Sequence, residues 1–335
     1  MTADTRHPKG PWLVADIGGT NARFALYEAS VDPADKPLAW ARLKTADHPG
    51  PAACTRTFLE RHWKGPIARA ALAIAAPIAG DEVALTNANW RFSIAKLREE
   101  LAIASLEVIN DFAALAHALP LLGEDDRIPL GPDRPGAPGS AMLVIGPGTG
   151  LGAAAVIPHE QRGWAVAAGE GGHTTAAARN DREAAVLRAM RGSGRHVSYE
   201  RVASGPGLVE LAQTLAELEG AAPPPDSPAG VVAAARKGDA ICREAVALFQ
   251  DFLATFTGDM ALAVGARGGI YLGGGVLTHL DGLFDAEAFR NRLEDKGRFR
   301  DYLKEIPLWR LRRADVAFLG LRRLLQERDE DASSS

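Results

Sequence analysis

The chain reads Ala15-Asp-Ile-Gly-Gly-Thr-Asn-Ala-Arg-Phe-Ala25 near its beginning, and the same layout returns at Ile145-Gly-Pro-Gly-Thr-Gly-Leu-Gly-Ala-Ala-Ala155. Each stretch joins an apolar strand to a returning strand through a glycine-rich turn, a pattern typical of a tight hairpin. Glycine suits such a turn because it tolerates positive φ and lets a ligand approach the main chain. Since one hairpin opens each half of the chain, the sequence predicts a duplicated α/β unit with a cleft between the copies.

The segments around the hairpins carry further strand and helix signals. Apolar runs bounded by turn residues indicate strands, and Ser93 stands where the N-cap of a helix is expected. We predict strands at residues 12–17, 22–28, 70–76, 106–109, 142–145 and 151–157, and helices at 94–101, 112–119 and 315–327. The polar, proline-rich residues 130–140 and 221–228 are predicted loops.

Composition excludes several classes of protein. The hydrophobic fraction of 47% and the charged fraction of 24% are those of an ordinary globular chain. A formal net charge of -4 argues against a nucleic-acid surface, which needs a concentrated excess of Lys and Arg. The two cysteines, Cys54 and Cys242, cannot form a disulfide framework or a Cys-rich zinc site. Without an apolar leader or a long apolar run, we expect a cytoplasmic protein that binds neither nucleic acid nor membrane.

The glycine turns could present backbone N–H groups to a phosphate. They do not form a Walker A loop, since the sequence has no Gly-x-x-x-x-Gly-Lys-Ser/Thr string. They also differ from a dinucleotide fingerprint, because Leu151 occupies the place of its third glycine. A third stretch, Gly269-Ile-Tyr-Leu-Gly-Gly-Gly-Val-Leu277, is an apolar strand that ends in glycines, where a flat group could lie against the main chain. Taken singly, the turns also fit ordinary hairpins or a strand-to-helix corner.

An ordered set of motifs resembles the bacterial glucokinase family over roughly residues 12 to 320. The strings are Asp16-Ile-Gly-Gly-Thr-Asn-Ala-Arg23, Thr86-Asn-Ala-Asn-Trp90, Asn110-Asp-Phe-Ala-Ala114, Gly148-Thr-Gly-Leu-Gly152, Gly169-Glu-Gly-Gly-His173, Glu200-Arg-Val-Ala-Ser-Gly-Pro-Gly-Leu208 and Glu294-Asp-Lys-Gly-Arg-Phe299. The resemblance implies a two-lobed actin-like (ribonuclease-H-like) α/β fold that binds ATP, Mg²⁺ and glucose in a central cleft, and a homodimer is a further expectation. It implies a small lobe at residues 1–121 completed by a helix at 312–328, and a large lobe at 122–311. The charged, Ser-rich composition of residues 329–335 predicts a disordered tail.

The resemblance also implies which residues bind the nucleotide. The first phosphate loop is Ala15, Asp16, Ile17, Gly18, Gly19 and Thr20, the second is Gly148 and Thr149, and the adenosine turn is Gly273, Gly274 and Gly275. Asp16 is expected to orient Mg²⁺ through water, because phosphoryl transfer needs the phosphate charge neutralised. The alternative role for Asp16 is to cap the turn.

A sugar offers many hydroxyl groups, so its site needs carboxylates and amides that can bind them. The candidates, which the resemblance assigns to sugar binding, are Asn110, Asp111, Gly150, Glu170, His173 and Glu200. Asp111, at a strand-to-helix junction, is the expected catalytic base for the acceptor hydroxyl; its alternative role is a helix N-cap. Glu170 and His173 have no third metal ligand nearby in sequence, which argues against a metal site. Glu200 is expected in a helical context.

Several other functions remain to be weighed. A related sugar kinase with a Cys-rich zinc motif is disfavoured because the chain lacks that motif, and a sugar-sensing transcription regulator would need a DNA-binding module before the first strand. A broader hexose kinase and a catalytically weak sugar-binding paralogue stay open. Pro147 and the runs at residues 174–178 and 315–318 depart from the family pattern, although none replaces a proposed contact residue.

Overall fold

A computed structural model describes residues 10–85, 90–161 and 163–333. The strands are β1 Trp12–Ile17, β2 Asn21–Tyr27, β3 Ala39–Lys44, β4 Arg69–Ile74, β5 Glu82–Ala84, β6 Arg91–Ser93, β7 Leu106–Asn110, β8 Arg127–Pro129, β9 Met142–Pro147, β10 Leu151–His159, β11 Gly163–Gly169, β12 Gly269–Leu272 and β13 Leu308–Leu311. The α-helices are α1 Pro51–His62, α2 Ile94–Leu101, α3 Asp111–Ala118, α4 Asp181–Arg191, α5 Gly205–Glu219, α6 Pro228–Arg236, α7 Ala240–Val264, α8 Gly275–His279, α9 Ala286–Glu294, α10 Arg300–Lys304 and α11 Val316–Ser333.

The chain divides into two compact units. Unit 1 comprises residues 1–125 and 313–335, and unit 2 comprises residues 126–312. The division falls a few residues from the boundaries expected at 121 and 312. Both units combine helices with a mixed sheet, so the chain has the predicted α/β architecture.

Unit 1 is built on a sheet in the order β3-β2-β1-β4-β7. The first hairpin is antiparallel, whereas β1, β4 and β7 run parallel to one another. Both faces of β1 are buried, because Leu13 and Ile17 pack toward α1 while Trp12 and Val14 pack toward α11. A strand covered on both faces needs apolar residues throughout, which explains the continuous apolar run seen in the sequence.

Unit 2 repeats this layout with the sheet order β11-β10-β9-β12-β13-β8. Strands β9 and β10 form an antiparallel hairpin, and β9, β12 and β13 run parallel. One core cluster joins this sheet to α5, α7 and α9, with Phe249, Phe252 and Phe256 of α7 completely buried. The sheet of unit 2 therefore packs on the long helix α7 through a shared apolar core.

The parallel strands place the glycine turns at equivalent positions. In unit 1 the carboxyl ends of β1, β4 and β7 lie at one edge of the sheet, and in unit 2 those of β9, β12 and β13 do the same. Polar groups that follow parallel strands are commonly used for ligand binding in α/β proteins. The loops after β1 and β7, and those after β9 and β12, are therefore the places to look for a site.

The last helix differs from the expectation at its end. The chain is helical through residue 333, so residues 329–333 are not the disordered tail that the sequence predicts. Asp329 forms an ion pair with Arg69, and Gln326 donates a hydrogen bond of 2.9 Å to Glu330, which together favour continued helix. Residues 334–335 and the motif residues Thr86 to Asn89 lie outside the described part of the chain. None of the described helices is long and apolar enough to cross a membrane.

Candidate active site

The first glycine turn, residues 18–20, closes the β1–β2 hairpin. The N–H of Gly18 donates to the carbonyl of Asn21 at 2.9 Å. Thr45 braces the turn from outside, since its hydroxyl donates to the carbonyl of Gly19 at 2.7 Å and its N–H donates to that of Thr20 at 3.1 Å. Thr45 is fully buried. The turn is thus closed by the Gly18 N–H and held by the carbonyl groups of Gly19 and Thr20, an arrangement that suits a loop whose remaining N–H groups serve a ligand.

Asp16 pairs with Arg23 across the same hairpin. The two residues are cross-strand partners, and Nε of Arg23 lies 3.1 Å from Oδ2 of Asp16 while Nη2 contacts the same oxygen. Arg23 also donates to the carbonyl of Ala314 at 2.9 Å and lies over the ring of Phe318. Arg23 thus fixes the direction of the Asp16 carboxylate, a role that the sequence analysis did not assign to it.

Asp16 is a single carboxylate rather than part of a metal cage. No group of three or more His, Cys, Asp or Glu in residues 10–85, 90–161 and 163–333 could hold a metal ion. Mg²⁺ commonly keeps several waters and binds one or two carboxylates together with substrate phosphates. One oxygen ligand at the first turn fits an ion of that kind, and it does not fit a structural metal.

Asn110 and Asp111 stand where β7 passes into α3. The amide oxygen of Asn110 accepts from the N–H groups of Phe112 at 2.9 Å and Ala113 at 3.3 Å, which makes Asn110 the N-cap of α3. Its amide nitrogen donates to the carbonyl of Ala76 at 3.3 Å. Asp111 is the first residue of the helix, where the helix dipole favours a negative charge. Since β4 alone separates β1 from β7, Asp111 follows a strand about 10 Å from the one that carries Asp16.

The second glycine turn, residues 148–150, lies against Glu200. The N–H of Leu151 donates to Oε2 of Glu200 at 3.0 Å. A Cβ added to Gly150 would stand 2.5 Å from that same oxygen, so a glycine is required if the carboxylate is to stay in place. The carbonyl of Gly148 accepts from the N–H of Gly205, the first residue of α5, at 2.8 Å. These contacts join the turn to Glu200 and to the beginning of α5.

The segment from Glu170 to His173 adds two further side chains to this place. It forms a short 3₁₀ turn after β11, in which the N–H of His173 donates to the carbonyl of Glu170 at 3.0 Å. Nε2 of His173 lies 3.9 Å from Oε1 of Glu200, and the exposed fractions of the two side chains are 59% and 31%. The N–H of Glu200 donates to the carbonyl of Gly172 at 2.8 Å. The structure thus brings His173, Glu200 and Gly150 together, with Glu170 exposed beside them.

Glu200 does not lie in a helix, contrary to the expectation. It belongs to a turn that precedes α5, and the helix begins only at Gly205. Ser204 is the N-cap of that helix and accepts from the N–H of Gly207 at 3.1 Å. The Gly-Pro-Gly sequence after Ser204 marks a helix start that could have been read from the sequence.

The third glycine turn lies beside the second. The N–H of Gly273 donates to the carbonyl of Ile145 at 2.8 Å, because β12 and β9 are neighbours. Gly274 has a φ of 95°, and a Cβ there would collide with the carbonyl of Pro147. Gly275 is the first residue of α8, so this turn is a strand-to-helix corner as well as a close neighbour of residues 147–148. The two turns therefore lie side by side within unit 2.

Comparison with known proteins gives a consistent result. A family model described as Glucokinase matches residues 13–328. The chain is 44% identical over 316 residues to a glucokinase of Nitrobacter hamburgensis, covering 93% of this chain and 96% of that one. It is 41% identical over 317 residues to a glucokinase of Paramagnetospirillum magneticum, covering 94% and 97%. The crystal structure of a glucokinase from an Antarctic psychrotroph has a TM-score of 0.82 at 34% identity, covering 95% of this chain and 99% of that one.

Proposed function

The chain belongs to the glucokinase family, and we propose that it transfers the γ-phosphoryl group of ATP to the 6-hydroxyl of glucose, giving glucose 6-phosphate and ADP. Family membership and the actin-like fold that goes with it confirm the enzyme class predicted from the motifs. The observation that supports the proposed sugar site is the contact of Glu200 with the second glycine turn, because it sets a carboxylate suited to hydroxyl groups beside the turn proposed to bind phosphate.

Unit 2 is proposed to supply most of the groups that recognise glucose. Ionised carboxylates accept hydrogen bonds only, so Glu170 and Glu200 select hydroxyl groups placed to donate. His173, 3.9 Å from Glu200, can donate to or accept from a neighbouring hydroxyl according to its tautomer. In unit 1 the amide of Asn110 has two N–H groups, of which one accounts for the contact with Ala76. The other is available to an acceptor on the sugar.

Asp111 is proposed to be the catalytic base. Its carboxylate accepts the proton of the 6-hydroxyl as that oxygen bonds to the γ-phosphorus and ADP leaves in line. The N-terminal position in α3 stabilises the negative charge before the proton arrives. The contribution of the base is modest, since positioning and charge stabilisation dominate phosphoryl transfer.

The glycine turns are proposed to hold ATP. The turns at residues 18–20 and 148–149 would contact phosphate oxygens through the N–H groups of Gly19, Thr20 and Thr149, since the N–H groups of Gly18 and Gly148 close the turns themselves. Residues 273–275 would border the adenosine, where glycines leave room for a flat ring. Asp16 would orient Mg²⁺ through a water molecule, with Arg23 holding the carboxylate in place. When bound, Mg²⁺ supplies positive charge to the terminal phosphates.

Product analysis tests this function directly. Purified protein should release ADP from ATP only when glucose is present, and glucose 6-phosphate should form in equal amount. A chelator should abolish both, and added Mg²⁺ should restore them. A protein that binds glucose without forming either product would instead be the catalytically weak paralogue.

Location and assembly are proposals as well. We propose that the enzyme works in the cytoplasm, where its ATP is made, and both cysteines, Cys54 and Cys242, are free as in a reducing compartment. Cell fractionation would test this location. A homodimer stays a prediction from the family resemblance, and light scattering of the purified protein would decide it.

A further inference from the structure

The segment Glu294–Phe299 is a sequence motif that the proposed reaction does not use. It begins at the end of α9 and passes into a 3₁₀ turn at residues 297–299. Glu294 pairs with Arg290 of the same helix, so its role is local. Asp295 and Lys296, in contrast, contact residues far away in the chain, and both contacts lead toward the proposed sugar-binding residues.

Lys296 is directed into α7. Its Nζ forms an ion pair with Oδ1 of Asp259 and donates to the carbonyl of Thr255 at 3.2 Å. The exposed fractions of the Lys296 and Asp259 side chains are 12% and 44%. The approach is close, because a Cβ added to Gly258 would stand 2.9 Å from Cε of Lys296. The Lys296 side chain is therefore held by the carboxylate of Asp259 and the carbonyl of Thr255, and Gly258 leaves the space that it occupies.

Asp259 passes this constraint to Tyr199. Its other oxygen, Oδ2, accepts a hydrogen bond of 3.1 Å from the hydroxyl of Tyr199. Burial and the nearby Asp259 carboxylate raise the pKa of Tyr199 above its ordinary value of 10.0, so the hydroxyl keeps its proton and remains a donor at neutral pH. The ring of Tyr199 packs on Phe256 of α7, with the ring centroids 5.2 Å apart. Tyr199 directly precedes Glu200 in the chain, so holding the Tyr199 ring in place also fixes the position of the Glu200 backbone.

Asp295 contacts the segment that follows His173. Nη1 of Arg179 donates to the carbonyl of Asp295 at 2.7 Å, and Nη2 pairs with its carboxylate. Arg179 ends the stretch that leads from His173 to the beginning of α4. The N–H of Tyr199 also donates to the carbonyl of Thr174 at 3.0 Å, which ties the two stretches to each other. The segments that carry His173 and Glu200 are thus both fastened to residues 295–296.

We propose that Asp295 and Lys296 are positioning residues for glucose, and that they act through Arg179 and through Asp259 and Tyr199 to hold His173 and Glu200 in their binding geometry. The proposal rests on the proposed function of His173 and Glu200 as sugar ligands. It assigns neither residue a contact with substrate. Side chains held by supporting hydrogen bonds bind more tightly because less ordering is left for the binding step.

The test is Lys296→Met, which keeps the length of the side chain and removes its charge. We expect the Kd and KM for glucose to rise about 10-fold, while KM for ATP and kcat change less than about 2-fold, because the loss affects geometry at the sugar alone. Tyr199→Phe removes the next link and should give the same pattern. The double variant should resemble either single variant rather than their product, since both act along one chain of contacts.

Arg182→Met is the matched control. Arg182 pairs with Glu244, which also lies on α7, and with Glu219 at the end of α5, so its ion pairs do not lead to residues 173 or 200. Arg182→Met should lower the melting temperature about as much as Lys296→Met does, and it should leave the affinity for glucose unchanged. Lys296→Arg should recover most of the affinity, because it restores the charge opposite Asp259.

The outcomes separate this proposal from the function on which it rests. If Glu200→Gln leaves glucose affinity unchanged, the sugar role of Glu200 fails and the positioning proposal fails with it. If Glu200→Gln weakens glucose binding while Lys296→Met and Tyr199→Phe do not, only the positioning proposal is overturned. Equal losses for glucose and ATP, or losses that merely follow melting temperature as in Arg182→Met, would also overturn it.

Discussion

Asn110 and Asp111 are neighbours in the chain, yet only Asn110 is the N-cap of α3. The amide oxygen of Asn110 caps α3 by accepting hydrogen bonds from the N–H groups of Phe112 and Ala113, and its amide nitrogen donates to the carbonyl of Ala76. Oδ1 of Asp111 lies 3.0 Å from the N–H of Phe112, which already has Asn110 as a partner. The helix therefore keeps its cap without the Asp111 carboxylate, as the proposed role of Asp111 as catalytic base requires.

Asp111→Asn should lower kcat by about 100-fold or more, because the amide cannot accept a proton from the 6-hydroxyl. The melting temperature should stay within a degree or so of the unmodified protein. Asn110→Ala is the contrasting variant and should cost about 1 kcal/mol of unfolding free energy through the lost cap. Steady-state kinetics and thermal melts check both, and a folded Asp111→Asn enzyme with nearly full kcat would disprove the assignment of the base.

Gly150 and Gly148 form a second contrasting pair. An added Cβ at Gly150 meets Glu200, whose flexible end will move, whereas at Gly148 it meets nothing within 4 Å. Gly150→Ala should therefore raise KM for glucose about 10-fold with little loss of stability. Gly148→Ala should leave KM for glucose unchanged, and the bulkier Gly148→Val should weaken ATP binding instead. Weaker glucose binding in Gly148→Val with ATP binding intact would reverse the assignment of the two turns.

Individual contacts could be predicted from the sequence only where the two residues lie close together in the chain. Asp16 and Arg23 are 7 residues apart in one hairpin, and the register of two strands joined by a tight turn indicates that they are cross-strand partners. Leu151 and Glu200 are 49 residues apart, and Asp259 and Tyr199 are 60 apart. Such contacts depend on how α5 and α7 pack on the sheet, which no local pattern encodes. The family motifs indicated Glu200 as a site residue, but they did not predict its contact with Leu151.

Among the elements, α11 shows how a helix end can differ from its sequence signal. The charged residues after Gln326 indicate a frayed tail, but Glu327 and Asp329 find partners on unit 1. His117 of α3 lies 3.4 Å from Glu327, and Arg323 donates to Glu327 at 2.8 Å within the helix. His117 lies on α3, and Arg69, the partner of Asp329, lies on β4, so the extra turn depends on tertiary contacts as well as on the pair within the helix. The strands of the hairpins, in contrast, follow from local apolar runs and were predicted to within a few residues.

Glu327 should make stability depend on pH. Burial acts to raise its pKa, but hydrogen bonds and charges from His117 and Arg323 outweigh it and lower the pKa below the ordinary 4.5. A lowered pKa in the folded state means that the ionised carboxylate stabilises the fold above pH 4.5 and loses this effect as pH falls through the folded pKa. Glu327→Gln should therefore lower the melting temperature near pH 6, and the difference should shrink at about pH 3. A difference that is independent of pH would contradict the assignment.

At the scale of the whole molecule, the two units share one plan. Each begins with an antiparallel hairpin closed by a glycine turn, and each continues with two parallel strands beside the first strand of that hairpin. The repeated glycine motifs made this duplication predictable. The edge strands β3, β8 and β11 were not predicted. Strands β3 and β8 are runs of mixed polarity, and β11 consists mainly of alanine and glycine, which are weak strand formers, so their pairing is decided by neighbouring strands. Fold class and enzyme class thus follow from the sequence more readily than the contacts that shape the site.

The most direct test of the central claim compares kcat/KM for glucose with that for mannose, galactose and fructose under identical ATP and Mg²⁺ concentrations. A site built from carboxylates rejects a sugar that leaves one of them without a donor. We therefore predict that glucose exceeds each alternative by roughly 100-fold, and that Glu170→Gln weakens glucose use while narrowing the gap. Comparable values for all four sugars would contradict the account, because the enzyme would then be a broad hexose kinase and Glu170, His173 and Glu200 could not be reading individual hydroxyl groups.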